Sequence, residues 1–151
     1  MHKNTCFVRL TIDRIVIKSD VSDSGSMVMM VAYDGRPNTE KALDYAIVNA
    51  KLYGEPLYVV SVVTKGPDSD IDKVHMYADA AVEKARAEGC DARKLVESGQ
   101  PEKVILEAAS RFGCGTIIVG RSGKTSLDRV IMGSVSNHVV ANANCTVVVV
   151  Q

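Results

Sequence analysis

The sequence predicts an α/β fold: a five-stranded parallel sheet in the order 3-2-1-4-5, helices on both faces, and an extra strand at the N-terminus. Three observations carry this. The run 28–33 is continuously apolar and 57–63 and 146–150 nearly so, as suits strands buried on both faces. Between such runs lie segments with apolar residues at helical spacing, and strand and helix alternate five times, the signature of right-handed crossovers. The fourth run breaks at once into glycine, so backbone N–H groups can approach a ligand closely there.

Composition bounds what such a domain can do. The 151 residues suffice for one domain with a real core. Lys plus Arg equals Asp plus Glu, 18 each, so no net field draws the chain to nucleic acid or to a membrane surface. Trp is absent and Phe and Tyr are few, which argues against a stacking platform for single strands. Cys6, Cys90, Cys114 and Cys145 are widely spaced with no C-x-x-C pair, against zinc and against a dense disulfide framework. Cys114 and Cys145 adjoin apolar strands and read as buried thiols. No run approaches the length of a membrane span, and the apolar N-terminal residues are interrupted by Arg9 and Asp13, unlike a signal peptide. The expected location is cytoplasmic.

Residues 1–26 read as an extension and 27–151 as the domain. Within 6–18, Val8, Leu10 and Ile12 alternate with Arg9, Thr11 and Asp13, as in a half-buried strand, and a Ser/Asp/Gly linker follows. The first domain strand, 28–33, ends in the turn Asp34-Gly35-Arg36-Pro37, with Asn38 or Thr39 able to cap a helix striped by Leu43, Ala46, Ile47 and Ala50. Gly54 closes it. After the second strand, 57–63, a long helix carries Val74, Tyr77, Ala78, Ala81, Val82 and Ala85 on one face and ends at Gly89. The third strand, 92–97, is punctuated by Arg93, Lys94 and Glu97, as suits an edge blunted by charge. Pro101 opens a third helix with Val104, Ile105, Ala108, Ala109 and Phe112 inward. The fourth strand starts at Thr116; after the glycine loop, a helix over about 134–143 leads to the last strand, 146–150.

In the order 3-2-1-4-5 the crevice for ligands lies between the first and fourth strands, at their carboxyl ends. Asp34 and the loop after Gly120 would face each other across it. The valine strand 146–150 would be the other edge, with no charge, proline or bulge to protect it. The expected cover is the same strand of a second subunit across a two-fold axis, or else the N-terminal strand of the same or a partner chain.

Gly123-Lys124-Thr125 imitates a Walker A loop, but Ile118 stands where its first glycine belongs, and Lys124 lies ten positions before the next helix. A dinucleotide G-x-G-x-x-G fails as well, because Gly123 comes at the wrong spacing after Gly120. The pattern present is G-x2-G-x9-G-[ST], over Gly120, Gly123, Gly133 and Ser134.

With VAYDG (31–35), VVSVV, ESGQPEKVILEAA (97–109), IIVG and GSVSNHVV (133–140), this pattern resembles the ATP-binding branch of the universal stress protein family, over residues 28–150. The resemblance implies a Rossmann-like fold of the adenine nucleotide α-hydrolase kind. It implies phosphate contacts from Gly120, Gly123, Gly133, Ser134 and Val135, a nucleotide-side position for Asp34, and an adenine contact from the backbone at Val62. ATP with Mg²⁺ is the implied cofactor; the place of Asp34 at the switch point suits either a ribose contact or Mg²⁺ held through water.

Plainer readings stand beside these. Gly120 could simply end a strand, Ser134 could be an N-cap, and Asp34 could cap a turn. Arg121, Lys124 and Arg129 could be a solvated face or could neutralise phosphate. Val62 is core in any reading, and His75 and His138 read as surface helix residues. Phosphoryl transfer needs a group that positions the nucleophile, and none stands out, so binding is favoured over turnover, with slow ATP hydrolysis at most. An adenylating enzyme of the same superfamily would show an SGGxDS-type, HIGH or KMSKS signature, none of which is present. A dimeric interaction module with a vestigial site is the other alternative.

Overall fold

The computed structural model describes residues 5–6, 15–20, 28–66, 70–121 and 133–151. Gly123, Lys124 and Arg129 lie outside the described residues. In chain order the elements are β1 (Thr5–Cys6), β2 (Ile15–Asp20), β3 (Met29–Ala32), α1 (Pro37–Tyr53), β4 (Leu57–Val63), α2 (Ile71–Ala87), β5 (Ala92–Ser98), α3 (Pro101–Arg111), β6 (Thr116–Gly120), α4 (Ser134–Asn142) and β7 (Thr146–Val150). The sheet runs β1-β2-β7-β6-β3-β4-β5. Its five domain strands are parallel, in the expected 3-2-1-4-5 order.

Period-two alternation sorts the core. Met29, Val31, Leu57, Val59, Ile118 and Val148 pack with α1 and α2 on one face. Met30, Val60, Ile117, Val119, Val147 and Val149 pack with α3 and α4 on the other. A one-residue slip in any strand would exchange the two sets. Burying a large apolar side chain such as Met30 or Ile117 completely contributes about 1.5–3 kcal/mol each.

The helices follow their stripes. Leu43, Ala46, Ile47 and Ala50 of α1 are buried. Gly54 ends that helix in the left-handed region, φ 66°, where its N–H reaches the Ala50 and Lys51 carbonyls. The start differs from expectation: neither Asn38 nor Thr39 is the cap. Pro37 is the first helical residue, its fixed φ suiting that position, and Arg36 occupies the cap position without a side-chain cap bond. Asn38 and Thr39 are used elsewhere.

The two edges differ as charge suggests. On β5, Arg93 and Lys94 are exposed, and Glu97 meets Arg111 in an ion pair. At the other side β2 pairs antiparallel with β7, Ile15 opposite Val150 through Lys18 opposite Val147. Of the two covers weighed for this edge, the strand from the same chain is the one in place here. Among the described residues it comprises 15–20, and it takes in Ser19 and Asp20, which the composition had assigned to the linker; residues 7–14 of the expected strand lie outside the described residues.

Candidate functional site

The winding direction reverses between β3 and β6, where Val31 lies opposite Ile118. Beyond their carboxyl ends lie the Asp34 turn, the Gly120–Arg121 backbone and the first turns of α1 and α4.

Asp34 organises its own turn. Its Oδ1 accepts from the Arg36 N–H at 3.0 Å and from the Thr39 hydroxyl at 2.8 Å, and its own N–H donates to Thr39 Oγ1 at 3.3 Å. The plain turn-capping role is therefore present. The carboxylate is nonetheless 46% exposed, with Oδ2 3.6 Å from Arg36 Nε. Gly35 follows at φ 78°, and a Cβ there would stand 3.3 Å from the Tyr77 ring, so the residue is glycine for both conformation and space.

Below the turn, the Tyr33 hydroxyl donates to Glu40 Oε1 at 2.7 Å. Lys84 ties Glu40 (3.3 Å) to Asp44 (2.6 Å). Burial, helped by the Glu40 carboxylate, pushes the Tyr33 phenol well above its ordinary value. The Tyr33 carbonyl accepts from Ser61 Oγ at 2.7 Å, and Ser61 is completely buried.

Gly120 lets α1 approach. A Cβ there would lie 2.7 Å from the Asn38 carbonyl oxygen and 3.3 Å from the Thr39 nitrogen. Three bonds fix the backbone at this point: Ser136 Oγ donates to the Gly120 carbonyl (2.9 Å), Asn38 Nδ2 to the Arg121 carbonyl (3.1 Å), and the Arg121 N–H to the Val150 carbonyl (2.8 Å). Through Thr39 and Asn38, the Asp34 turn and the Gly120 strand end rest on the same helix start.

At α4, Gly133 is the N-cap and Ser134 the first helical residue, so Ser134 does not cap its helix. Gly133 has φ −60° and ψ 163°, open to any residue, and as a glycine it offers no side chain of its own to cap the helix. The first bond back to Gly133 comes from Asn137, which leaves the N–H groups of Ser134, Val135 and Ser136 ahead of the ladder. Such a turn favours anions. Ser134 is exposed, Val135 half-buried, and Ser136 buried.

Val62 is half-buried against the α3 and α4 side of the core. Its backbone matters more. The Tyr33 N–H donates to the Val60 carbonyl at 2.9 Å, so residue 60 faces β3. Two residues on, the N–H and C=O of Val62 face the same way, past the last paired residue of β3, Ala32. The other titratable groups weighed lie apart from this crevice or serve packing. His75 Nδ1 sits 3.4 Å from Lys94 Nζ on β5, and His138 is exposed on α4.

Four polar residues that position this end escaped the sequence reading in these roles: Asn38, Thr39, Ser61 and Ser136. Ser61 had a usable signal, a lone hydroxyl inside LYVVSVV. Ser136 had one too, as a polar residue one turn before Val139 and Val140 on the inward side of α4.

A sequence profile of the universal stress protein family matches residues 26–151. Universal stress protein YxiE of Bacillus subtilis is 31% identical over 82% of this chain and 97% of its own length. Universal stress protein MJ0531 of Methanocaldococcus jannaschii is 26% identical over 96% and 95%. Among solved structures, a universal stress protein from Archaeoglobus fulgidus in complex with dAMP is 27% identical, with TM-score 0.69 over 83% of this chain and 98% of that one. Sheet order, the glycine-bearing crossover and these likenesses agree: the chain belongs to the universal stress protein family.

Proposed function

We propose that this protein binds ATP at the crossover between β3 and β6, as a regulatory switch rather than as an efficient enzyme. The observation that carries the reading is the first turn of α4, which opens on a glycine without a capping side chain of its own and is joined to the Gly120 strand end by Ser136. Ser134 and Val135, with Gly133, would offer N–H groups to phosphate oxygens. Gly120, Gly123 and Arg121 would lie alongside, the Arg121 guanidinium balancing phosphate charge. The Val62 N–H and C=O would meet the adenine edge. A relative at 27% identity, solved with dAMP, supports an adenine nucleotide as the ligand class.

Mg²⁺ fits only as a phosphate-held ion. Among the described residues no three His, Cys, Asp or Glu side chains gather around one point, and Asp34 Oδ1 is already engaged in its turn. Its exposed Oδ2 would reach the ion through water, phosphate oxygens and waters supplying the other ligands. No described side chain is placed as a group that must orient a water, so hydrolysis is slow or absent. Bound nucleotide would act on the segment 121–132, of which residues 122–132 lie outside the described residues, and so change what a partner meets.

A second copy is the partner β7 fits, through 146–150 across a two-fold axis. Because β2 already lies antiparallel on that edge, the homodimer forms by exchanging or displacing the 1–26 extension from the 27–151 domain. Among the described residues no helix is long and apolar enough to cross a membrane, and the proposed location is cytoplasmic.

A vestigial site in a non-catalytic interaction module is the second reading. It is favoured by one observation, that helix packing alone accounts for Gly120. Equilibrium dialysis with Mg-ATP separates the two. The ATP reading expects saturable binding that Gly133→Val abolishes without loss of helix signal. Absence of binding by the unaltered chain establishes the vestigial reading, and equal affinity in the variant removes the site assignment.

A further inference from the structure

The end of the sheet opposite the crossover carries a second chemistry-bearing feature. A groove of about 690 Å³ opens between the C-terminal ends of α3 and α4 and the starts of β6 and β7, and both Cys114 and Cys145 line it. Cys114 belongs to the core cluster on the α3 and α4 face, and Cys145 packs against that same cluster, so the two thiols lie on one side of the sheet.

Their backbones are neighbours. Thr116 lies opposite Thr146, and the Thr146 N–H donates to the Gly115 carbonyl at 3.2 Å. The ladder begins at that pair; Cys145 directly precedes Thr146 and Cys114 stands two residues before Thr116, so both cysteines enter the same end of the β6–β7 pair. A bridge between them needs Cα atoms about 4.4–6.8 Å apart. Proximity also shows electrostatically: after burial, the Cys145 thiol is the cause that raises the Cys114 thiol, to about 12.

We propose that Cys114 and Cys145 form a reversible thiol–disulfide pair, a redox-modification site whose oxidant is a low-molecular-weight disulfide admitted by the groove. Cys145, the more exposed of the two, reacts first. Its thiolate attacks one sulfur of the oxidant, forming a mixed disulfide and releasing one small thiol. The Cys114 sulfur, giving up its proton to solvent, then attacks the Cys145 sulfur and expels the second small thiol. One external disulfide is reduced to two thiols, and two protein thiols become one disulfide. The bridge ties the start of β6 to the start of β7 and closes a loop containing Gly120, Gly133 and all of α4. It is independent of the nucleotide reading, because the groove and the crossover lie at opposite ends of the sheet.

The test is intact-mass and peptide mapping of the folded full chain incubated with oxidised glutathione, then with a reductant. The expected product is lighter by two hydrogens, yields a linked Cys114–Cys145 peptide, and reverts on reduction. Cys114→Ser should stop at a stable glutathione adduct on Cys145, and Cys145→Ser should give no linked product. Circular dichroism of each variant confirms that it is folded. A persistent adduct on the unaltered chain, no reaction at all, or a bridge to Cys90 or Cys6 would each overturn the proposal.

Discussion

Replacing Gly120 with alanine separates packing from ligand binding at the crossover. The added Cβ would sit 2.7 Å from the Asn38 oxygen, 3.0 Å from its carbonyl carbon and 3.3 Å from the Thr39 nitrogen, where ordinary contact begins at 3.4 Å. All three are backbone atoms in the first turn of α1, so no side chain can swing aside. The Asn38 to Arg121 bond, 3.1 Å, holds helix and strand end together and resists separation. Either α1 or the end of β6 must shift by several tenths of an ångström. Overpacking of this kind costs about 1–3 kcal/mol. For a chain of this length 1 kcal/mol moves Tm by about 2–4 °C, so Gly120→Ala should melt about 2–12 °C lower. Urea unfolding followed by circular dichroism should give a reduced midpoint at unchanged m. Gly133→Ala is the contrast: its backbone is open to any residue, so the loss should stay within about 1 kcal/mol, the scale of an N-cap preference. Stability of Gly120→Ala within about 0.5 kcal/mol of the unaltered chain would refute the packing argument.

Other perturbations probe the same frame. Ser61→Ala removes the donor to the Tyr33 carbonyl in a fully buried setting and should cost about 1–3 kcal/mol in urea unfolding, whereas an exposed bond would cost far less. Ser136→Ala leaves the Gly120 carbonyl without its 2.9 Å partner; a similar loss is expected, with weaker nucleotide binding by dialysis. Alkaline pH should destabilise the fold. The Cys114 thiol is raised from 9.0 to about 12 by burial and then by Cys145, so its contribution is complete below pH 9 and is lost as pH rises towards 12. The buried phenol of Tyr33 acts in the same direction above pH 10. The slope should reach at most about 1.4 kcal/mol per pH unit for each group, and Cys114→Ala should flatten it in a series of urea midpoints. A chain starting at Met27 exposes the β7 edge that β2 covers, and light scattering should show it more dimeric than the full chain; two monomers would remove the dimer interface.

Much of this fold was legible because its strands are buried on both faces. LYVVSVV and TVVVV have no solvent face to confuse the reading, and the charges of Arg93, Lys94 and Glu97 identified β5 as an edge. The helix stripes followed for the same reason, each facing a flat apolar sheet. The start of α1 was misread because Asn38 and Thr39 are good caps locally, while their side chains serve contacts with Arg121 and Asp34 that only the folded chain creates. The cover of β7 was legible as a need but not as a choice, since an antiparallel strand from this chain or from a second copy would satisfy the bare edge equally. At the candidate site, glycine spacing singled out the end of β6. It could not reveal that Gly120 is required by helix packing while the conformation of Gly133 is not. That distinction rests on distances between residues some eighty positions apart.

The central claim is nucleotide binding at the crossover, and calorimetric titration of the folded full chain with Mg-ATP, beside Gly133→Val, tests it most directly. The account predicts saturable binding at one site per chain, lost in the variant while its urea midpoint stays within about 1 kcal/mol of the unaltered chain in stability. No heat of binding to the unaltered chain, or undiminished binding to the variant, would contradict it.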